Sequence, residues 1–349
     1  MDLKTFLKIA VERKASDLHI TAGSSPIIRV NGSLVRLSEY PILTRETCKM
    51  LVDSALNDKQ KAKFERELEL DFSLSIPGLG RFRVNVHMQR GSVEAAFRAV
   101  SSEIKTIEEL GLPQIVTNIC QKRQGLVLVT GPTGVGKTTT LAAIVDFINK
   151  HRQEIVIVIE DPIEYMHTNK KSIVKQREVY SDTKSFASAL TYALRQDPNI
   201  IVVGEMRDLE TISTALTAAE TGHLVLATLH TPNASQTIDR IIDVFPPYQQ
   251  EQIKVQLAGC LEVVISQLLL PRKDGKGRIL ATEVMIATAA VRNLIRSHET
   301  EQLLTIMQTG SQYGMHTMDK SLKALLKQGI ISEETFNANV KNLEASRGL

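Results

Sequence analysis

At 349 residues the chain exceeds one ordinary domain and asks for two. A composition of 43% hydrophobic and 23% charged residues excludes a disordered or collagen-like chain. A net charge of +3 excludes a strongly basic nucleic-acid arm, and residues 1–110 hold 17 basic against 15 acidic side chains, so the balance is local as well.

The N-terminal stretch MDLKTFLKIAVERK mixes charge with apolar residues at helical spacing, which is not the core of a signal peptide. Residues 1–100 then read as a small α/β domain. A helix over Leu3 to Arg13 leads into an extended Ser16–Ile20. Ile27–Val30 and Leu34–Leu37 flank Asn31-Gly32, a strong hairpin signal. Helices follow around Thr44–Leu56 and Asp58–Leu68. Alternating strands follow at Glu69–Ile76, Arg81–Met88 and Val93–Val100, separated by Pro77-Gly78 and Gly91. Residues 101–113 read as a linker, and 114–349 as the second domain.

From 125 the period changes. Leu126–Val129, Ile155–Ile159, Ile200–Val203 and Leu224–Leu229 are short β-branched runs alternating with helical stretches, the pattern of buried strands in a mainly parallel sheet. Phe186, Leu190 and Leu194 fall at helical spacing, and Leu209 to Thr221 ends at Gly222, a helix C-cap. After Pro246-Pro247 the chain is expected to be largely helical, with one hairpin at Lys273–Arg278 and Ile279–Ile286. The most apolar long run, Leu257 to Leu270, is 14 residues and carries Glu262, Ser266 and Gln267, too short and polar to cross a membrane. Cys48, Cys120 and Cys260 fit neither a disulfide framework nor a metal clip, which points to a reducing cytoplasm.

The chemistry concentrates at strand ends. Gly131-Pro132-Thr133-Gly134-Val135-Gly136-Lys137-Thr138 is a full P-loop, with an apolar strand before it and a helix from Thr139 to Asn149 after it. Its glycines let backbone N–H groups wrap phosphate oxygens, and the helix N-terminus favours negative charge. Lys137 would reach the β- and γ-phosphates, and the Thr138 hydroxyl would ligate Mg²⁺. Glu205, delivered by the strand Ile200–Val203, is the candidate catalytic carboxylate, orienting the attacking water. Glu160, Asp161 and Glu164 follow the strand Ile155–Ile159, where open α/β sheets bind ligands; Glu160 is the candidate second metal residue, against a merely solvated acidic turn. His230 ends the fourth strand as a candidate γ-phosphate sensor, although a lone histidine is more often structural; His223 starts that strand. Arg81 and Arg83 share one strand face, with Arg98 on the next strand, and spacing alone leaves open a solvated sheet face. Asn169-Lys170 lacks the carboxylate a guanine site needs, so the nucleotide is read as ATP.

In this order the motifs resemble the secretion ATPase superfamily and, within it, the type IV pilus retraction ATPases. The resemblance rests on the P-loop Gly131–Thr140, which includes Thr139, on the acidic box Ile159–Glu164, on Val203–Asp208 and on the histidine box Gly222–Thr231. It extends to Ala15–Ile20, Gly80–Asn85, Phe245–Pro247 and Ala290–Arg296, where Ser297 replaces the acidic residue usual in the family. It implies a PAS-like N-terminal domain, a RecA-like C-terminal P-loop ATPase domain and a homohexamer. Nucleotide would lie between the domains and near a neighbouring subunit, which makes Arg81 and Arg83 nucleotide contacts. The motor would act from the cytoplasm on the inner-membrane pilus platform protein, meeting the membrane only through that partner. Accessory retraction, pilus extension and type II secretion ATPases are the alternatives within the superfamily. A RecA-like nucleic-acid motor is the alternative from another class, disfavoured by balanced charge and the absence of Trp.

Overall fold

A computed structural model describes residues 2–101 and 103–340. The chain divides into two compact units, Met1–Glu103 with Pro162–Met166, and Ile104–Asp161 with His167–Leu349. Both are α/β.

In the first unit, α1 (Leu3–Glu12) precedes β1 (Asp17–Ile20), β2 (Ile27–Val30) and β3 (Ser33–Arg36). Then come α2 (Arg45–Asp53), α3 (Asp58–Glu67), β4 (Glu69–Ile76), β5 (Gly80–Gln89) and β6 (Ser92–Ala99). The six strands pair in the order β3-β2-β1-β6-β5-β4, every described pairing antiparallel. Asn31 and Gly32 both have positive φ, the geometry a two-residue hairpin requires. Strand alternation sorts the sheet's faces: Phe82, Val84 and Val86 of β5 are buried with Phe6 and Leu7 of α1 and Leu51 of α2. Arg81, Arg83 and Asn85 take the other side of the pleat.

The second unit opens with α4 (Ile115–Ile119) and β7 (Gly125–Thr130), followed by α5 (Lys137–His151), β8 (Ile155–Glu160) and β9 (Ile173–Glu178). Next are α6 (Phe186–Ala193), β10 (Ile200–Val203), α7 (Leu209–Glu220), β11 (Leu224–Leu229), α8 (Ala234–Asp243) and α9 (Pro247–Cys260). β12 (Leu261–Pro271) and β13 (Arg278–Ile286) follow, then α10 (Ala289–Ser297) and further short helices. The sheet order is β13-β12-β7-β11-β10-β8-β9, parallel except for β13. One face packs against α6, α7, α8 and α9; the other is covered by α4 and α5, with Ile107 and Leu112 from the expected linker in the same core. β7 and its successor β8 are separated by β11 and β10. That reversal of strand order opens the crevice in which such sheets bind ligands at their C-terminal ends.

Two strands depart from expectation. The stretch after Pro247 is mostly helix together with the expected hairpin, but it also holds an unexpected 11-residue strand, Leu261–Pro271, laid parallel to β7. A continuous apolar run reads alike as buried strand or buried helix, and its polar residues hid the strand further. Ile173–Glu178, too polar to stand out, is the sheet's edge strand beside β8. Among the described residues no helix is long and apolar enough to cross a membrane.

Candidate active site

β7 is buried at all six residues and delivers the P-loop directly to the N-terminus of α5. A Cβ on Gly131 would lie 2.5 Å from the Gln267 carbonyl oxygen and 2.9 Å from Val135 Cγ2, so only glycine fits. Gly134 and Gly136 turn the chain at φ +83° and +92°, which a side chain would strain. Val135 is buried under the loop, while Pro132 and Thr133 face outward. Thr138 and Thr139 are half-buried in the first turn of α5.

Lys137 is buried, and its ammonium donates to the Gly131 and Pro132 carbonyls at 2.7 and 3.0 Å. Burial pushes its pKa below the ordinary lysine range, with the Glu205 carboxylate pulling the other way. His230 stands between this cation and that carboxylate. Its Nδ1 lies 3.4 Å from Lys137 Nζ and 3.3 Å from Thr133 Oγ1, and its Nε2 lies 3.1 Å from Glu205 Oε1. The hydrogen-bond network assigns the proton to Nε2, donated to Glu205, leaving Nδ1 to accept from Lys137 and Thr133. Glu205 also accepts from Arg207 Nε. Burial pushes the Glu205 carboxyl up, but Arg207 and His230 outweigh it and hold it below the usual carboxylate range. The geometry therefore keeps an ionised carboxylate and a lysine at opposite sides of one imidazole.

Glu160 ends β8 with a buried side chain. It lines a cavity of about 20 Å³ together with Thr138, His167 and Gly204. Thr138 and Glu160 thus meet at one small space, an oxygen-donor pair that suits a hard divalent cation. Gly204 packs closely there, since a Cβ would lie a tight 3.1 Å from the Ile159 carbonyl oxygen. Glu164 is exposed in the Pro162–Met166 segment, which groups with the first unit. His223 binds back to the Ala218 carbonyl through its ring at 3.0 Å, a structural tie at the end of α7.

On the first unit's sheet, Arg81 donates to Ser75 Oγ at 3.3 Å and Arg83 is exposed. Arg98 is committed to Asp17, its Nε 2.9 Å from Oδ1.

Sequence reasoning missed three residues at the P-loop. Ser266 and Gln267 are buried on β12, where Thr130 donates to Ser266 at 2.9 Å and Gln267 Nε2 donates to Thr140 Oγ1 at 2.7 Å. Burying hydroxyl and amide in an apolar strand is costly unless each finds partners. Here they are Thr130 at the end of β7 and Thr140 in α5, on either side of the nucleotide loop, while Gln267 Oε1 finds none among the described residues. Two adjacent polar residues inside an apolar run were the available signal. His167 is the third. Burial pushes its imidazole down to about 4, and its Nδ1 is buried with no hydrogen-bond partner among the described residues.

Over residues 1–338 the chain matches the family described as Type II/IV secretion system protein. It is 48% identical over 341 residues to the Type IV pilus retractation ATPase PilT of Pseudomonas aeruginosa, covering 98% of each chain. To the twitching motility protein of Neisseria gonorrhoeae it is 46% identical over 338 residues, 95% of this chain and 90% of that one. The crystal structure of the pilus retraction motor PilT with bound ADP is similar at a TM-score of 0.91 and 48% identity, covering 99% of both chains.

Proposed function

The chain belongs to the type II/IV secretion system protein family, and on that premise we propose that it is the ATP-hydrolysing motor that retracts type IV pili. It works as a homohexamer at the cytoplasmic face of the inner membrane, acting on the pilus platform protein. The observation that carries this reading is the Lys137–His230–Glu205 constellation on a chain 48% identical, over 98% of its length, to a retraction ATPase.

The residues divide the work. The backbone of Gly131, Pro132, Thr133, Gly134, Val135 and Gly136 encloses the phosphates, and Lys137 exchanges its two carbonyl acceptors for β- and γ-oxygens. Thr138 and Glu160 would hold Mg²⁺, which would supply positive charge to neutralise the phosphates. Glu205, kept ionised, accepts a proton from the attacking water and orients it. A γ-phosphate reaching Lys137 competes with His230 Nδ1, so His230 reports phosphate occupancy to Glu205. Glu164, exposed in its segment, adds negative charge beyond Glu160 rather than a metal ligand. Arg81 and Arg83 act on the nucleotide of a neighbouring subunit.

A deletion strain complemented with wild type or with Glu205→Gln tests the motor assignment. We expect the deletion and the variant to assemble surface pili that do not retract. Loss of surface pili in both would make the chain an extension motor instead.

A further inference from the structure

The cavity under the first turn of α5 is lined by three side chains able to bind water, Thr138, Glu160 and His167, amid apolar Leu141, Val145, Val158 and Val202. At about 20 Å³ it has room for about one water, and such a water needs two to four polar partners. The His167 ring presents a buried Nδ1 that no described group satisfies. Leaving a buried ring nitrogen unpaired costs free energy unless water or a ligand completes it. The same residue is also tied to Glu160 by a second route. Its backbone N–H donates to Gln176 Oε1 at 2.9 Å, and Gln176 Nε2 donates to Glu160 Oε2 at 3.4 Å. His167 is therefore linked to Glu160 through Gln176 and also lines the same cavity. It lies outside the P-loop, the acidic box and the histidine box.

We propose that His167 Nδ1 accepts a hydrogen bond from a water held between Thr138 and Glu160, so that His167 sets the site's affinity for a divalent cation. The inference rests on the assignment of Thr138 and Glu160 to Mg²⁺. A water bound to a cation can only donate, so Nδ1 must be the acceptor and the ring proton sits on Nε2. Removing such an outer partner typically costs 10–100-fold in metal affinity. His167 is thus a positioning residue for the cation and touches neither phosphate nor nucleophile.

The test measures ADP binding to the full-length protein across a Mn²⁺ titration and again in EDTA, for wild type, His167→Phe and His167→Asn. We expect His167→Phe to weaken Mn²⁺ by about 10–100-fold while leaving ADP affinity in EDTA and the thermal midpoint unchanged. Asparagine, whose Oδ1 lies near the position of Nδ1, should restore most of the loss. An unchanged Mn²⁺ affinity in His167→Phe overturns the inference. So does an equal fall in ADP affinity with and without metal, which would make His167 a support of the loop alone. If His167→Phe does not fold, wild-type crystals grown with Mg²⁺ and ADP decide: no water or aqua ligand within about 3.2 Å of Nδ1 overturns the proposal. A wild type that binds no ADP under either condition would instead sink the assignment of the nucleotide site itself.

Discussion

On the first unit's sheet, Asp17 lies between Arg98 Nε at 2.9 Å and Arg29 Nε at 3.8 Å; on the second, Glu205 lies between Arg207 and His230. Both carboxylates are held below their ordinary pKa by neighbouring hydrogen-bond donors against the opposing push of burial: Ser16 and Arg98 for Asp17, Arg207 and His230 for Glu205. The difference is in what the neighbours can do next. Asp17 sits mid-sheet, with each partner fixed by strand register, Arg29 on β2 and Arg98 on β6. Glu205 follows the end of β10, and its imidazole partner is shared with a lysine whose other acceptors are two loop carbonyls. Register-locked charges hold a sheet together. Charges at strand ends, bonded to exchangeable partners, can be handed to a ligand.

The largest effect tests the exchangeable end. Lys137→Ala removes the P-loop's ammonium, and ATP turnover should fall to background. A variant with near wild-type turnover would remove Lys137 from the site. Next come Arg81 and Arg83, which break the comparison if they belong with Asp17 as structural charges. Arg83 stands directly opposite Arg98 across the β5–β6 ladder, a like-charge pairing that costs stability rather than adding it. An arginine contributed in trans can be worth about 10³–10⁵ in rate. Mixing Arg81→Ala/Arg83→Ala subunits with Lys137→Ala subunits should therefore regain turnover that neither variant has alone. Failure of every mixture to recover would confine the arginines to their own subunit, and full activity in the double variant would make them a solvated face.

Glu205→Gln follows. It keeps the shape of the carboxylate but loses its charge and basicity, so turnover should drop about 10²–10⁴-fold while ATP still binds. Nucleotide affinity and single-turnover rate, measured separately, decide the matter. Lost binding with an unchanged rate would class Glu205 with Asp17.

The same contrast explains what could be read in advance. The P-loop, Glu205 and the paired Thr138 and Glu160 follow strands whose apolar runs are unbroken, so periodicity located the strands and chemistry located their ends. The Asn31-Gly32 hairpin was legible because only positive φ at both positions closes so short a loop. β12 was not, since Ser266 and Gln267 interrupt its run, and their hydrogen bonds to Thr130 and Thr140 span more than 120 residues of sequence. His167 was hidden for a related reason. Its chemistry lies in a cavity it shares with residues from α5, β8 and the end of β10, and no local pattern encodes such a meeting. Partnerships made across strands or across a cavity leave little trace in neighbouring letters.

The smallest effect tests the register-locked half. Burial pushes the Asp17 carboxyl up, while the Ser16 hydroxyl and Arg98 outweigh it and leave it below the usual carboxylate range. Arg98 is 64% exposed, so solvent screens the pair, and Asp17→Asn should destabilise the protein by only about 1 kcal/mol at neutral pH. The sign with pH follows from the direction of the shift. A carboxyl whose folded pKa is depressed stabilises the fold above its unfolded value, and that stabilisation is lost as pH falls through the folded pKa. Wild type and Asp17→Asn should therefore differ in urea unfolding at about pH 7 and converge as pH falls through the folded pKa of Asp17, below which both carry a neutral side chain. Turnover per subunit should not change, because Asp17 is bonded within its own sheet. A difference that persists undiminished at acid pH would assign the effect to shape rather than charge. A loss of turnover at unchanged stability would mean that the first sheet, too, hands its charges to a ligand.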